Sequence, residues 1–294
     1  MADFQGRIIR GVGGFYYVPD PQGRLIECRA RGGLRQQDIR PLVGDEAQVL
    51  LTREDPEKGR IEGLLPRKNI LIRPAVANVD QALILVTAAR PPFHPGLLDR
   101  FLVWMAFQQV PAIIGIGKKD LGDETRIREI QKIYEGAGYP VCSFSAKTGE
   151  GLPELETWLA GKTTVLAGAS GVGKSTLLNR LVPQAEMETG GLSVKGGRGR
   201  HTTRHAELFP LGGHGFLCDT PGFSALELPD MEARELADCF PEYGALKGCA
   251  FRDCLHHGEK GCVARQAAEK GLILPSRQEN YETMLAEILN RRKY

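Results

Sequence analysis

The stretch TTVLAGASGVGKSTLLNRLV, residues 163–182, leaves the chain little freedom of fold. An apolar run meets a glycine-rich loop, and an apolar-periodic run follows. Gly168-Ala169-Ser170-Gly171-Val172-Gly173-Lys174-Ser175 fits G-x-x-x-x-G-K-[ST], and Thr176 continues it into the following run. A strand must end here and a helix begin. The glycines let backbone N–H groups close on phosphate oxygens, and the helix start adds the positive end of its dipole. Lys174 would then reach the outer phosphates of a nucleotide and Ser175 would offer its hydroxyl to Mg²⁺. Such a unit belongs to a mostly parallel sheet covered by helices. Yet it arrives after more than half of the chain.

The first segment reads as β. QGRIIR, GFYYVP, RLIECRA, EAQVLL and GRIEGLL are short β-branched or aromatic runs, separated by the turn clusters GVGG, DPQG, LVGD and EDPEKG. Five short strands of this kind predict a small N-terminal β-barrel of OB-fold type. Phe15, Tyr16 and Tyr17 stand together, and strand alternation sends Tyr16 to the face opposite its neighbours. Of the 13 basic residues in 1–73, 11 are arginine, which suits phosphate and stacked-base contacts. After LPRKNILIRP, residues 65–74, the pattern becomes α/β: DQALILVTA, VPAIIGIG and YPVCSFS alternate with helical spacings such as GLLDRFLVWMAFQQ and DETRIREIQKIYEGAG. The last segment is helical, with MEARELADCF and SRQENYETMLAEILNRRK flanking a loop rich in Cys and His. The expected domains are 1–68, 69–228 and 229–294.

Composition excludes several classes. Apolar content of 42% and charged content of 25% fit a soluble globular chain. No apolar run approaches the ~18 residues of a membrane span, and MADFQGRIIR lacks a signal-peptide core, so a cytoplasmic protein without a membrane partner is expected. A monomer is expected as well. Seven cysteines in a chain without a signal do not make a disulfide framework.

Two further motifs concern a nucleotide. After the strand GFLCD comes Asp219-Thr220-Pro221-Gly222, an Asp-x-x-Gly in which Asp219 would hold Mg²⁺ through water and Gly222 would offer its N–H to a γ-phosphate. Choosing guanine needs a carboxylate for the N1–H and 2-amino donors. Downstream nothing fits, but upstream AIIGIG ends in Gly117-Lys118-Lys119-Asp120, and Ser145-Ala146-Lys147 resembles the second base-contacting motif. The order is base, base, phosphate, switch, switch. That is a circularly permuted P-loop GTPase domain, conventional in its sheet and cut at a different point. Near the C-terminus, Cys249-x4-Cys254-x-His256-x5-Cys262 supplies three thiolates and one imidazole, a closed tetrahedral zinc site of structural type, with His257 as the neighbouring alternative. Cys28, Cys142, Cys218 and Cys239 read as packing residues.

Four motifs in this order resemble the RsgA family, also called YjeQ or YloQ, over essentially the whole chain. The resemblance implies an α/β protein with an OB-fold barrel that binds RNA, a permuted GTPase domain and a C-terminal helical zinc-binding domain. It implies GTP hydrolysis that assists late maturation of the small (30S) ribosomal subunit and is stimulated by it. Implied partners are that subunit with its rRNA and GTP or GDP; implied cofactors are Mg²⁺ with the nucleotide and one structural Zn²⁺, whose histidine match falls on His256. The family has asparagine where this chain has Gly117, so weaker guanine affinity is expected with Asp120 intact. TGGLSVKGGRGRHTTRH, residues 189–205, resembles the first switch, with Thr203, or the adjacent Thr202, closing on Mg²⁺. Phe223 stands where many GTPases place a water-orienting glutamine. A histidine at the position of His201 is implicated in hydrolysis in the family, so the catalytic set is expected to be His201, Lys174 and Thr203. Two rivals are a nucleotide-gated RNA-binding scaffold and a general phosphate-loop ATPase.

Overall fold

The computed structural model describes residues 2–36, 39–72, 75–183, 206–212, 215–219 and 227–291. The first segment contains β1 (Phe4–Arg7), β2 (Arg10–Val12), β3 (Phe15–Pro19), β4 (Leu25–Ala30), the short helix α1 (Gly32–Gln36), β5 (Glu46–Leu51) and β6 (Lys58–Leu64). The strand order is β1-β5-β6-β4-β3-β2, with β4 and β6 parallel and the other neighbours antiparallel. QGRIIR, expected as one strand, is therefore two pieces. The strand is interrupted at Ile8-Ile9, and one piece pairs with β5 while the other pairs with β3. That division closes five sequence runs into the OB-type barrel. Ile8, fully buried at the break, joins Val18, Ile26, Cys28, Ala47, Val49 and Ile61 in the core. The GVGG turn narrows to Gly13-Gly14, whose φ of +60° and +84° suit the left-handed turn of a tight hairpin. Tyr16 packs on the barrel core, while Phe15 and Tyr17 carry Arg29 and Arg10 over their rings.

A hairpin of β7 (Ile70–Leu71) and β8 (Val76–Ala77) follows the barrel. Before it, Arg67 grips the fully buried Asp45 with two hydrogen bonds of 2.6 and 2.7 Å.

The α/β part runs β9 (Gln81–Thr87), α2 (Pro95–Phe107), β10 (Ala112–Gly117), α3 (Glu124–Gly136), β11 (Val141–Ser143), α4 (Leu152–Leu159), β12 (Thr163–Gly168), α5 (Lys174–Leu181), β13 (Glu207–Pro210) and β14 (Phe216–Asp219). Every residue of QALILVT is buried, as a helix-covered parallel strand requires. The C-terminal helices are α6 (Glu235–Asp238), α7 (Pro241–Gly244), α8 (Val263–Glu269) and α9 (Pro275–Arg291). MEARELADCF forms one helical turn rather than a full helix. Pro241 opens the next, having no N–H with which to continue the last.

The chain divides into two compact units. One comprises Met1–Gln81, Leu159–Leu166 and Leu177–Phe223; the other comprises Ala82–Trp158, Ala167–Thr176 and Ser224–Tyr294. In the first, the sheet continues beyond the barrel as β2-β13-β14-β12. Here β13 is antiparallel to β2 and to β14, and β14 is parallel to β12. In the second, β9, β10 and β11 are parallel, and α9 packs on α2 in a core that joins Val103 to Leu236, Phe240, Tyr281, Leu285 and Ile288.

Candidate functional site

The phosphate-loop motif lies where the sequence predicts, between β12 and the first turn of α5. Gly168, Gly171 and Gly173 have φ of +137°, +80° and +108°. At Gly168 space also decides: a Cβ there would lie 2.4 Å from the Leu85 carbonyl oxygen of β9. Lys174 folds back over the loop, its ammonium donating to the carbonyls of Gly168 and Ala169 at 2.8 and 2.9 Å.

The residues expected to read a base gather beside that loop. Lys118 adopts the left-handed region, with φ of 57°, at the end of β10. Its ammonium donates to Arg90 O and Gly171 O, both at 2.7 Å, and so bridges the segment after β9 to the phosphate loop. Asp120 sits in a single 3-10 turn, Lys119–Leu121. The buried Ser145 hydroxyl donates to Asp120 Oδ1 at 2.6 Å and accepts from Thr148 N–H at 3.1 Å. One carboxylate oxygen is thus fixed from behind. Lys119 pairs with Glu150 at 2.6 Å, and its N–H donates to Phe144 O at 3.0 Å, tying the segment after β10 to the one after β11. Ala146 and the exposed Lys147 form the turn after Ser145. Gly117 ends β10, and a Cβ there would lie 3.5 Å from Val172 O, an ordinary contact. Sequence reasoning missed the Lys118 bridge and the Ser145–Asp120 bond; the spacing of the two motifs was the signal available.

Asp219 closes β14, opposite Glu207 of β13. Its carboxylate and the Ser175 hydroxyl are hard oxygen donors of the kind that Mg²⁺ takes. Gly222, Phe223, His201, Thr202 and Thr203 lie outside the described residues.

The metal-ligand set is compact. The ligand atoms of Cys249, Cys254, His256 and Cys262 all lie within 4.8 Å of one another. His256 Nδ1 is 3.6, 3.7 and 3.4 Å from the Sγ atoms of Cys249, Cys254 and Cys262. Tetrahedral zinc with its usual Zn–S and Zn–N bonds separates such atoms by about 3.6 Å. The donors fit that ion in type and in spacing. His257 is exposed and outside the group. Around the ligands, Glu259 accepts from the N–H groups of Leu255 and His257 at 2.7 Å each, and Tyr281 donates to Leu255 O at 2.8 Å. Burial holds His256 below its ordinary range, which favours the neutral imidazole that a metal binds.

The comparisons agree along the whole chain. The RsgA GTPase family model matches residues 64–229, and the RsgA N-terminal domain model matches residues 5–61. A protein of Geobacillus thermodenitrificans named small ribosomal subunit biogenesis GTPase RsgA is 45% identical, over 98% of this chain and 98% of that protein. A protein of the same name from Agathobacter rectalis is 44% identical, over 98% and 99%. The crystal structure of YjeQ from Thermotoga maritima superposes with a TM-score of 0.83 at 39% identity, covering 97% of this chain and 98% of that one. YloQ, described as a circularly permuted GTPase, gives 0.80 at 37% identity, covering 98% and 95%. With both family models and full-length relatives in accord, the chain belongs to the RsgA family of circularly permuted GTPases.

Proposed function

We propose that this GTPase binds the small ribosomal subunit through rRNA and hydrolyses GTP there during late maturation, as a cytoplasmic monomer stimulated by the subunit. The relatives' name supports the subunit, and no helix among the described residues is long and apolar enough to cross a membrane. The domains are read as 1–68 for RNA contact, 69–228 for nucleotide and 229–294 for zinc. The observation that carries the nucleotide reading is Asp120, braced by Ser145, on a segment whose Lys118 bonds the phosphate loop at Gly171.

In this reading the carboxylate of Asp120 accepts from guanine N1–H and the 2-amino group, while Lys118, Lys119 and Ser145-Ala146-Lys147 frame the base. Backbone N–H groups of 168–176 cradle the phosphates. Lys174 leaves the loop carbonyls for the outer phosphate oxygens. Ser175, Asp219 and Thr203 would hold Mg²⁺, which would supply neutralisation of the phosphate charge. Gly222 offers its N–H to the γ-phosphate. His201 orients the attacking water in place of the glutamine that Phe223 replaces. Zn²⁺ at Cys249, Cys254, His256 and Cys262 is structural, since four protein ligands leave no open position. A site built to bond two donors rejects a base lacking them. Calorimetric titration with GDP and ADP tests the reading: GDP binds far more tightly if it is right, and affinities within about threefold of each other would sink it.

A further inference from the structure

One row of side chains crosses the seam between the barrel and β14. The register pairs Glu27 with Tyr17, Tyr17 with Arg10, Arg10 with Glu207, and Glu207 with Asp219. Each pair is directly opposed in an antiparallel ladder, so the five side chains share one face of the sheet. The row is linked physically. Tyr17 Oη donates to Glu27 Oε2 at 3.1 Å, and the Arg10 guanidinium carbon lies 4.1 Å from the centre of the Tyr17 ring. A guanidinium nitrogen of Arg10 lies 3.8 Å from Glu207 Oε1. The backbones are joined as well, Leu208 N–H donating to Ile9 O at 2.8 Å.

Carboxylates directly opposite each other in a ladder repel, with Cβ atoms about 5 Å apart. Glu207 and Asp219 are such a pair, and the barrel supplies an ion partner for Glu207 in Arg10. We propose that Arg10 and Glu207 are positioning residues for Asp219, coupling the outer face of the barrel to the aspartate that faces Mg²⁺ and the γ-phosphate. This rests on the reading of Asp219 given above. With Arg10 in place, Asp219 meets a neutral pair. Without it, Glu207 adds an uncompensated negative charge beside Asp219 and strengthens the attraction for a divalent cation. Without Glu207, the charge of Arg10 does the opposite. Both side chains are part-exposed, 37% and 29%, so screening keeps the effect modest. Arg10 also shares the barrel's outer face with Arg29, stacked 4.4 Å from the centre of Phe15. An RNA phosphate on that face competes with Glu207 for the guanidinium of Arg10. Occupancy of the barrel thereby changes the charge at Asp219, and the coupling is reciprocal.

The test is the Mg²⁺ midpoint for binding a non-hydrolysable GTP analogue to the full chain, read by fluorescence, with thermal melts alongside. Arg10→Gln should lower the midpoint about two- to fivefold and Glu207→Gln should raise it as much, the range of a cross-strand charge pair. The double variant should return near the parent. Shifts of both single variants in one direction, or in neither, with melts unchanged, overturn the proposal. Asp219→Asn checks the underlying reading: about a ten- to hundredfold rise is expected. No rise there overturns that reading and the proposal together. A full rise with unmoved Arg10 and Glu207 variants overturns the proposal alone. A single-stranded oligoribonucleotide should lower the parent's midpoint and leave that of Arg10→Gln unchanged; equal shifts would show that RNA acts elsewhere than at Arg10.

Discussion

Replacing Gly117 by asparagine should tighten GDP binding, because the end of β10 has room for the side chain and a backbone carbonyl close by. Gly117 pairs with Thr87 at the end of its strand and is not among the glycines with positive φ, so a side chain meets no backbone strain. Its Cβ would lie 3.5 Å from Val172 O, 3.7 Å from Phe144 Cζ and 3.7 Å from Val86 O, all ordinary contacts. From there an amide N–H is within reach of Val172 O in the phosphate loop. A neutral hydrogen bond of this kind contributes about 1 kcal/mol, or roughly a fivefold change in affinity. The glycine also costs entropy in a strand, so the variant should be at least as stable as the parent. Calorimetric titration with GDP gives the affinity and a thermal melt the stability. Unchanged GDP affinity in a folded variant would refute the reasoning. It would show that the Lys118 bridge to Gly171 and Arg90 already holds the loop as firmly as the site needs.

Asp120→Asn turns one of two acceptors into a donor; GDP affinity should fall about ten- to hundredfold with ADP unaffected, as titration would show. Cys254→Ser should lower zinc content below one per chain by elemental analysis and raise amide exchange in residues 229–291, since metal binding at such a site is folding energy. Arg277→Met should cost about 3–5 kcal/mol in urea denaturation, because the buried Arg277 bridges Asp99 and Glu242 and its loss removes the cation from both buried carboxylates, leaving Asp99 the amide of Asn280. Burial already raises the Asp99 carboxyl against the pull of Arg277, so protonation favours the folded variant and its deficit should shrink as pH falls towards 4 and grow as pH rises.

Much of the candidate site's local structure was legible because it is encoded in short segments. The phosphate loop, Gly117-Lys118-Lys119-Asp120, Ser145-Ala146-Lys147 and the Cys249–Cys262 set are each short segments whose spacing encodes their geometry. The motif order was enough to reveal the permutation, since each motif follows its own strand or apolar run. What escaped were contacts between residues far apart in the chain. Arg277 meets Asp99 across 178 positions, and nothing in NYETMLAEIL marks a buried cation one turn earlier. The seam of β2 with β13 could not be read either, because ELFP carries no sign of which edge it joins. QGRIIR looked like one strand because Ile8 and Ile9 continue its apolar character. Its division is imposed by barrel closure, which a single run does not record. Short helices followed tertiary packing over local pattern in the same way, as MEARELADCF shows. His201, Thr203 and Gly222 lie outside the described residues and stand on the sequence reading.

The central claim is that this chain is a GTP hydrolase whose turnover is set by the small ribosomal subunit. Steady-state phosphate release from GTP, measured on the purified chain with and without purified small subunits, tests it most directly. Slow turnover alone and a rise of at least about tenfold at saturating subunit are predicted, since positioning by a partner dominates such chemistry. A rate that does not change with the subunit, or equal release from ATP, would contradict the account.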